Sequence, residues 1–322
     1  MTTRIRAVGL LSGGLDSALA ARLLLDQGIE VIGLHLESPT ACRSDVRVLA
    51  SELGIPLVVR AKGEEYVRLL RHPRWGYGRN MNPCVDCRLF MFRMAQPCLE
   101  EHGAQFLFTG EVVGQRPMSQ TRDRMALVDR HSGLEGLILR PLSALLLPET
   151  EPERRGWVDR TRLLAISGRT RTEQLALAER YGLRNVQSPG GGCLLTDPRF
   201  SERLRGLFED VPEERTTVDD LALLRIGRVF RVTPTLRIVV GRDREESLRL
   251  AEFESPERWL VEPLDFAGPS ALVCGPRDEE SLGHAIGLIA RHSRSPSPEN
   301  AVQWRVEDGV RNRTLGSAAR SV

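Results

Sequence analysis

Two groups of residues in this 322-residue chain have the types and spacing to do chemistry. The first is Ser12-Gly13-Gly14-Leu15-Asp16-Ser17. Paired glycines let the backbone bend and approach a ligand with no Cβ in the way. A helix starting there aims free N–H groups and its positive dipole end at the same point, which suits an anion. The hydroxyls of Ser12 and Ser17 add donors. Asp16 is out of place beside phosphates unless a divalent cation lies between them, so it implies Mg²⁺. The second group is Cys84 and Cys87, in Asn82-Pro83-Cys84-Val85-Asp86-Cys87, together with Cys193 at the end of the Gly-rich loop 189–192. A helix beginning at the CxxC is expected to lower thiol pKa values and favour thiolate. Three thiols are too few for a closed zinc site, which takes four ligands. They suit a [4Fe–4S] cluster with one iron left open, or a persulfide on Cys193 that one of the CxxC pair resolves as a disulfide. From residue types alone, a zinc knuckle completed by Cys193 with a histidine or Cys98 stays open, and so do three inert buried thiols. Cys42, Cys98 and Cys274 read as packing residues.

The elements that must position these groups follow from local patterns. Residues 6–11 (RAVGLL) form a short apolar run ending at Ser-Gly-Gly, as a buried parallel strand would. A helix is expected over 15–26, closed by Gly28, then a strand over 31–36, a helix over 45–53 closed by Gly54, and a third strand from Pro56. This βαβαβ order predicts an α/β, doubly wound parallel sheet. Further strands are expected over 104–109 and 137–142, and the helical pattern over 87–102 should kink or break at Pro97. Past residue 200 the texture becomes a smaller α+β unit. Two short strands flank Thr233-Pro234-Thr235, and a long helix follows over 279–291. The domains read as 1–200, 201–300 and a partly disordered tail over 301–322.

Composition narrows the function classes. Hydrophobic content of 41% and charged content of 27% exclude a disordered chain or a collagen-like fibre. No run approaches 18 apolar residues, and neither a secretory signal nor a membrane partner is expected. Six cysteines in this length do not make a disulfide scaffold, so a reducing, cytoplasmic location is expected. Net charge is only +2. Any nucleic-acid surface must therefore come from local clustering. Of the 45 basic residues only Lys62 is a lysine. Coding bias accounts for so many arginines, so their number alone says little about RNA.

Residues 12–17 match the SGGxDS pattern of the PP-loop ATP pyrophosphatases, in the strand–loop–helix setting where a parallel sheet binds ligands. That resemblance implies ATP, cleaved to AMP and pyrophosphate after an oxygen of the substrate is adenylated. It also implies nucleotide binding by Ser12, Gly13, Gly14, Asp16 and Ser17. A PP-loop followed by NPCxxC and a Gly-rich loop ending in cysteine resembles the tRNA thiouridylases, the 4-thiouridine synthase type most closely. The strings at 109–120, 138–148 and 188–198 fit the same group. Residues after about 210 resemble the small domain of NFACT-type RNA-binding proteins. The resemblance implies tRNA as substrate, a persulfide protein or free sulfide as sulfur donor, and Cys84, Cys87 and Cys193, with Asp16, as the reacting set. With the loop at residue 12, neither a THUMP domain before it nor an added rhodanese domain is expected. The rival readings are an amide ligase or nucleobase synthase using ammonia, and a non-enzymatic RNA-binding or cluster-sensing protein.

Weaker signals complete the list. Thr109-Gly110-Glu111 ends a strand of the sheet and is expected to face the ligand, with Gly110 at the nucleotide. Arg140-Pro141 is a fainter version of the same signal. Arg68, Arg71, His72, Arg74, Trp75, Tyr77 and Arg79 interleave bases with rings, as a tRNA contact or as a loop covering the nucleotide. Seven arginines between Arg225 and Arg249 form either an RNA face or a solvated face paired to Asp243, Glu245 and Glu246. His35 reads as a strand residue rather than a catalyst.

Overall fold

The computed structural model describes residues 4–40, 45–184, 193–306 and 309–318. It divides into two units, Met1–Thr196 and Asp197–Val322.

The first unit is a parallel sheet covered on both faces. Its elements run β1 (Arg6–Leu10), α1 (Leu15–Leu25), β2 (Glu30–Glu37), α2 (Val46–Leu53), β3 (Leu57–Ala61), α3 (Gly63–Arg71), α4 (Cys84–Glu101), β4 (Phe106–Thr109), α5 (Arg122–His131), β5 (Ile138–Leu139), α6 (Glu151–Arg154) and α7 (Thr172–Arg180). The strand order is β3-β2-β1-β4-β5, with every pair parallel. Side chains alternate across a strand. Ala7, Phe106 and Phe108 therefore join one core with α1, α2 and α7, while Val8 and Leu107 join the other with α4 and α5. This is the doubly wound α/β arrangement. The loops at the carboxyl ends of β1, β2, β3 and β4 are the ones that carry chemistry. Asp45 caps α2 by accepting from Val48 N, and Gly54 ends it in the left-handed region at φ +67°. Pro97 lies inside α4, and the helix runs through it to Glu101. Buried contacts from Phe92, Ala95, Cys98 and Leu99 hold both sides of the missing N–H bond on the sheet.

The second unit contains α8 (Pro198–Asp210), α9 (Val218–Leu223), β6 (Arg228–Thr233), β7 (Leu236–Val240), α10 (Arg244–Ala251), β8 (Arg258–Pro263), β9 (Ala271–Cys274), α11 (Glu279–His292), β10 (Ala301–Val306), β11 (Gly309–Thr314) and α12 (Leu315–Ala318). Its sheet is antiparallel, in the order β11-β10-β8-β9-β7-β6. Leu282, Ala285, Ile286 and Ile289 form the helical stripe of α11 that packs on one face. The reading of residues 301–322 as a tail needs correction. Residues 301–306 and 309–314 are a hairpin in the sheet, and Val302 is fully buried opposite Pro263.

Candidate active site

The loop between β1 and α1 is a tight, self-bonded cradle. Gly13 has φ +78°, a conformation that a side chain disfavours. The Ser17 hydroxyl donates to Gly14 O at 2.8 Å and accepts from Ser12 N at 3.3 Å. The Ser12 hydroxyl accepts from Gly14 N at 3.3 Å. Asp16 points the other way. Its Oδ2 accepts from Gln115 Nε2 at 3.0 Å and lies 3.5 Å from an Arg171 guanidinium nitrogen. Its Oδ1 is buried with no hydrogen-bond partner among the described residues. A buried carboxylate oxygen left without a donor fits a cation ligand, so the residues present suit Mg²⁺.

Gly110 completes this cradle from β4. A Cβ there would sit 2.4 Å from Asp16 C and Ser17 N, so only glycine lets the strand end lie against the loop. Glu111 and Arg140 are spent internally. Glu111 is 3% exposed, accepts from Arg140 Nε at 3.0 Å and forms an ion pair with Arg88, whose Nε lies 3.0 Å away. Arg140 makes two further bonds, to Asp129 at 2.7 and 2.8 Å. Burial alone would raise the Glu111 pKa, but Arg88 and Arg140 hold it below the usual carboxylate value. His35 Nδ1 meets Leu11 O at 2.8 Å and ties β2 to the loop.

The three cysteines come from two segments. Cys84 and Cys87 open α4. The Cys84 thiol donates to Asn82 Oδ1 at 3.1 Å. Asp86, between them, accepts Arg74 N at 2.9 Å and Trp75 N at 3.1 Å, which fastens the 74–77 segment to the CxxC turn. Cys193 is placed by its neighbours. Leu194 N donates to Thr40 O, Met81 N donates to Leu195 O, and Asn80 Nδ2 donates to Thr196 O at 2.7 Å. The thiols feel one another electrostatically. Burial pushes the Cys84 pKa up, and Cys87 adds to it. Burial pushes Cys193 up to about 11, with smaller upward contributions from Cys87 and Cys84. The expectation that the helix start lowers thiol pKa therefore fails at Cys84, where desolvation outweighs the dipole. The glycines of 188–192, and Cys42, lie outside the described residues. Cys98 is fully buried in the core beneath α4. Among the described residues, no group of three or more His, Cys, Asp or Glu is set to hold a single metal ion. Three thiols do not fill a closed zinc site, which takes four ligands.

Three neighbours of these thiols carry no motif. Lys62, at the end of β3, puts Nζ 3.4 Å from Cys87 Sγ. Tyr66 sets its hydroxyl 3.7 Å from the same sulfur and 3.1 Å from Thr40 Oγ1. The Tyr66 pKa is raised well above its usual value, by burial first and then by Cys87 and Cys193. The one sequence signal was that Lys62 is the sole lysine among 45 bases.

The expected RNA contacts are partly committed elsewhere. The Arg74 guanidinium lies 4.7 Å from the centroid of the Trp75 ring, and Trp75 meets His131 edge-on. Tyr77 is 41% exposed. Arg231 and Arg237 both pair with Asp210, and Arg242 pairs with Glu246, so these three of the seven arginines are committed to ion pairs. Among the described residues, no helix is long and apolar enough to cross a membrane.

Comparison with known proteins agrees with this architecture. Residues 2–146 match the family model described as thiamine biosynthesis protein (ThiI), and residues 227–319 match the NFACT protein RNA binding domain. A tRNA-specific 2-thiouridylase MnmA from Geobacter metallireducens is 34% identical over 320 residues, which is 89% of this chain and 78% of that protein. The MnmA of Geotalea uraniireducens is 28% identical over 330 residues, 93% of this chain and 80% of that protein. A probable tRNA sulfurtransferase from Thermococcus kodakarensis is 32% identical over 149 residues, 44% of this chain and 38% of that protein. With its SGGLDS cradle, its α/β sheet and a likeness to the two MnmA proteins over most of both chains, the chain belongs to the PP-loop tRNA thiouridylase family and carries an NFACT-type RNA-binding segment.

Proposed function

We propose that the chain thiolates a uridine of tRNA, activating the base with ATP and replacing its oxygen by sulfur held at Cys84, Cys87 and Cys193. The observation that carries this reading is the short covalent and ionic path between the two halves of the site. Cys87 is followed by Arg88, Arg88 pairs with Glu111, and Glu111 follows Gly110, which lies against the Asp16–Ser17 backbone.

The loop N–H groups and the start of α1 receive the phosphates of ATP. Asp16 would hold Mg²⁺, which supplies charge neutralisation on the pyrophosphate as it leaves. The carbonyl oxygen of the base attacks the α-phosphorus, and pyrophosphate departs with the bonding electron pair. The base carbon now carries AMP, a good leaving group. An anionic sulfur adds to that carbon and AMP is expelled, leaving a carbon–sulfur double bond. A [4Fe–4S] cluster on the three thiols would supply a site for exogenous sulfide. A persulfide on Cys193 would supply the same sulfur and leave a protein disulfide, which a thiol reductant must then reduce. The target base must leave its stack to reach the carbon-attack position.

The test is pyrophosphate release that depends on tRNA, together with mass spectrometry of the tRNA nucleosides. A new thiouridine formed with ATP and a sulfur source supports the reading. Full activity of Cys193→Ser with ammonia would replace it by an amide-forming ligase. No pyrophosphate with any tRNA would replace it by a binding protein.

A further inference from the structure

We propose that Lys62 is the cation that seats an anionic sulfur atom at Cys87, which makes it a positioning residue for the sulfur half of the reaction. This rests on the function proposed above only for its purpose, not for its physics.

Lys62 is 7% exposed. A buried ammonium is costly unless an anion faces it. Among the described residues no carboxylate pairs with it. Its Nζ reaches Cys87 Sγ at 3.4 Å and lies 4.2 Å from the centroid of the Tyr66 ring. The ring gives a cation-binding face, but it supplies no full counter-charge. The structure thus holds a positive charge whose hydrogen-bond acceptor is a sulfur atom.

The local fold holds that charge in place. Lys62 N donates to Glu37 O, which locks the residue at the carboxyl end of β3, beside the end of β2. Tyr66, one turn into α3, is 1% exposed and is anchored through its hydroxyl to Thr40. Thr40 O in turn accepts Leu194 N, next to Cys193. One small network therefore sets the ammonium, the phenol and both thiol-bearing segments against each other.

Residue type agrees with this role. Forty-four of the 45 bases are arginine, so arginine is this chain's default cation. A compact ammonium can rest on a ring and point at one sulfur, whereas a planar five-donor fork needs more room and several acceptors. The occupant that fits is a terminal sulfur bearing negative charge. It is either hydrosulfide bound beside Cys87 or the outer sulfur of a cysteine persulfide in the trio.

The two sources are separated by probe. Anaerobic full-length protein is incubated with ³⁵S-labelled sodium sulfide in one arm and with ³⁵S-labelled glutathione persulfide in the other. It is then gel-filtered and counted, with no ATP or tRNA present. In the second arm the outer sulfur passes to a protein thiol and glutathione leaves as its thiol, so no oxidant is needed. Wild type is expected to retain label in one arm, and that arm names the source. Lys62→Met should retain about tenfold less, the loss expected for one charge-assisted hydrogen bond. Lys62→Arg should recover part of it. In thiolation assays the half-saturating concentration of the retained sulfur source should rise about tenfold in Lys62→Met, more than the maximal rate falls. The melting temperature of sulfur-free Lys62→Met should match or exceed wild type, because removing a lone buried charge is stabilising. Equal retention by wild type and a folded Lys62→Met overturns the proposal, and so does no retention in either arm. Retention that depends on Lys62, in a protein that never thiolates tRNA, would instead leave this seat standing and remove the proposed function.

Discussion

Arg88 Nε lies 3.0 Å from Glu111 Oε1, and this ion pair joins the helix that starts with the CxxC to the strand whose end presses on the PP-loop. Arg140 and Asp129 extend it into α5. One carboxylate, that of Glu111, thus ties both arginines to the end of β4.

Replacing that carboxylate should show in both stability and activity. Glu111→Gln takes the anion from part-buried Arg88 and leaves buried Arg140 with Asp129 alone, a change that costs about 3–5 kcal/mol. Glu111 has a folded pKa below its unfolded value. Its stabilising contribution is therefore complete above the unfolded pKa of about 4.5 and is lost as pH falls through the lower folded value. Urea titrations from pH 7 to pH 3 should show a steep acid loss in wild type and a shallower one in Glu111→Gln. Parallel curves would mean that the network does not titrate as a unit.

Asp16→Ala should abolish pyrophosphate release by about 100-fold or more, with little change in melting temperature. Among the described residues its ion-pair partner is Arg171, and at 3.5 Å, with both side chains partly exposed, that pair contributes about 1 kcal/mol or less. Wild-type rates in the variant would contradict the role given to the orphaned Oδ1.

Gly110→Ala should fail for a steric reason. The added methyl meets backbone rather than a yielding side chain, and overpacking of this kind costs about 1–3 kcal/mol. ATP affinity, measured by calorimetry, should fall further than stability alone explains, because the loop itself is displaced. An unchanged affinity would mean that the loop has room to move.

The thiols can be told apart by reactivity. Cys193 is pushed up to about 11 by burial. Its alkylation by iodoacetamide should be slow at pH 8 and should accelerate up to about pH 11, since the thiolate is the nucleophile. Cys193→Ala should lower iron or sulfane-sulfur content of anaerobic protein, whereas Cys98→Ala, deep in the core, should not. Equal losses in the two variants would show general unfolding rather than a lost ligand.

The sequence displayed the loop and the CxxC clearly because each is a contiguous string with one physical meaning. It displayed Thr109-Gly110-Glu111 ambiguously. A charged residue at a strand end looks the same whether it faces a ligand or a partner 29 residues away, as Glu111 does Arg140. Only Gly110 of that trio reaches the loop. Lys62 was invisible as a site residue because its partners, Tyr66 and Cys87, come from other elements. The β10–β11 hairpin escaped because β11 is exposed along nearly all its length and shows no apolar alternation. Its pairing with β8 comes from contacts remote in sequence.

Cys193 is held by main-chain bonds from residues 194–195 to residues 40 and 81. A ribosome releases Cys84 and Cys87 well before it reaches residue 193, at roughly 5–20 residues per second. For that interval of several seconds the nascent chain carries two thiols and no third. The trio closes only when the last segment of the unit emerges and folds back across the earlier strands. On the proposed function, loading of the trio has to wait until residue 193 has emerged, and a translational pause before it would lengthen the time during which the paired thiols are open to oxidation.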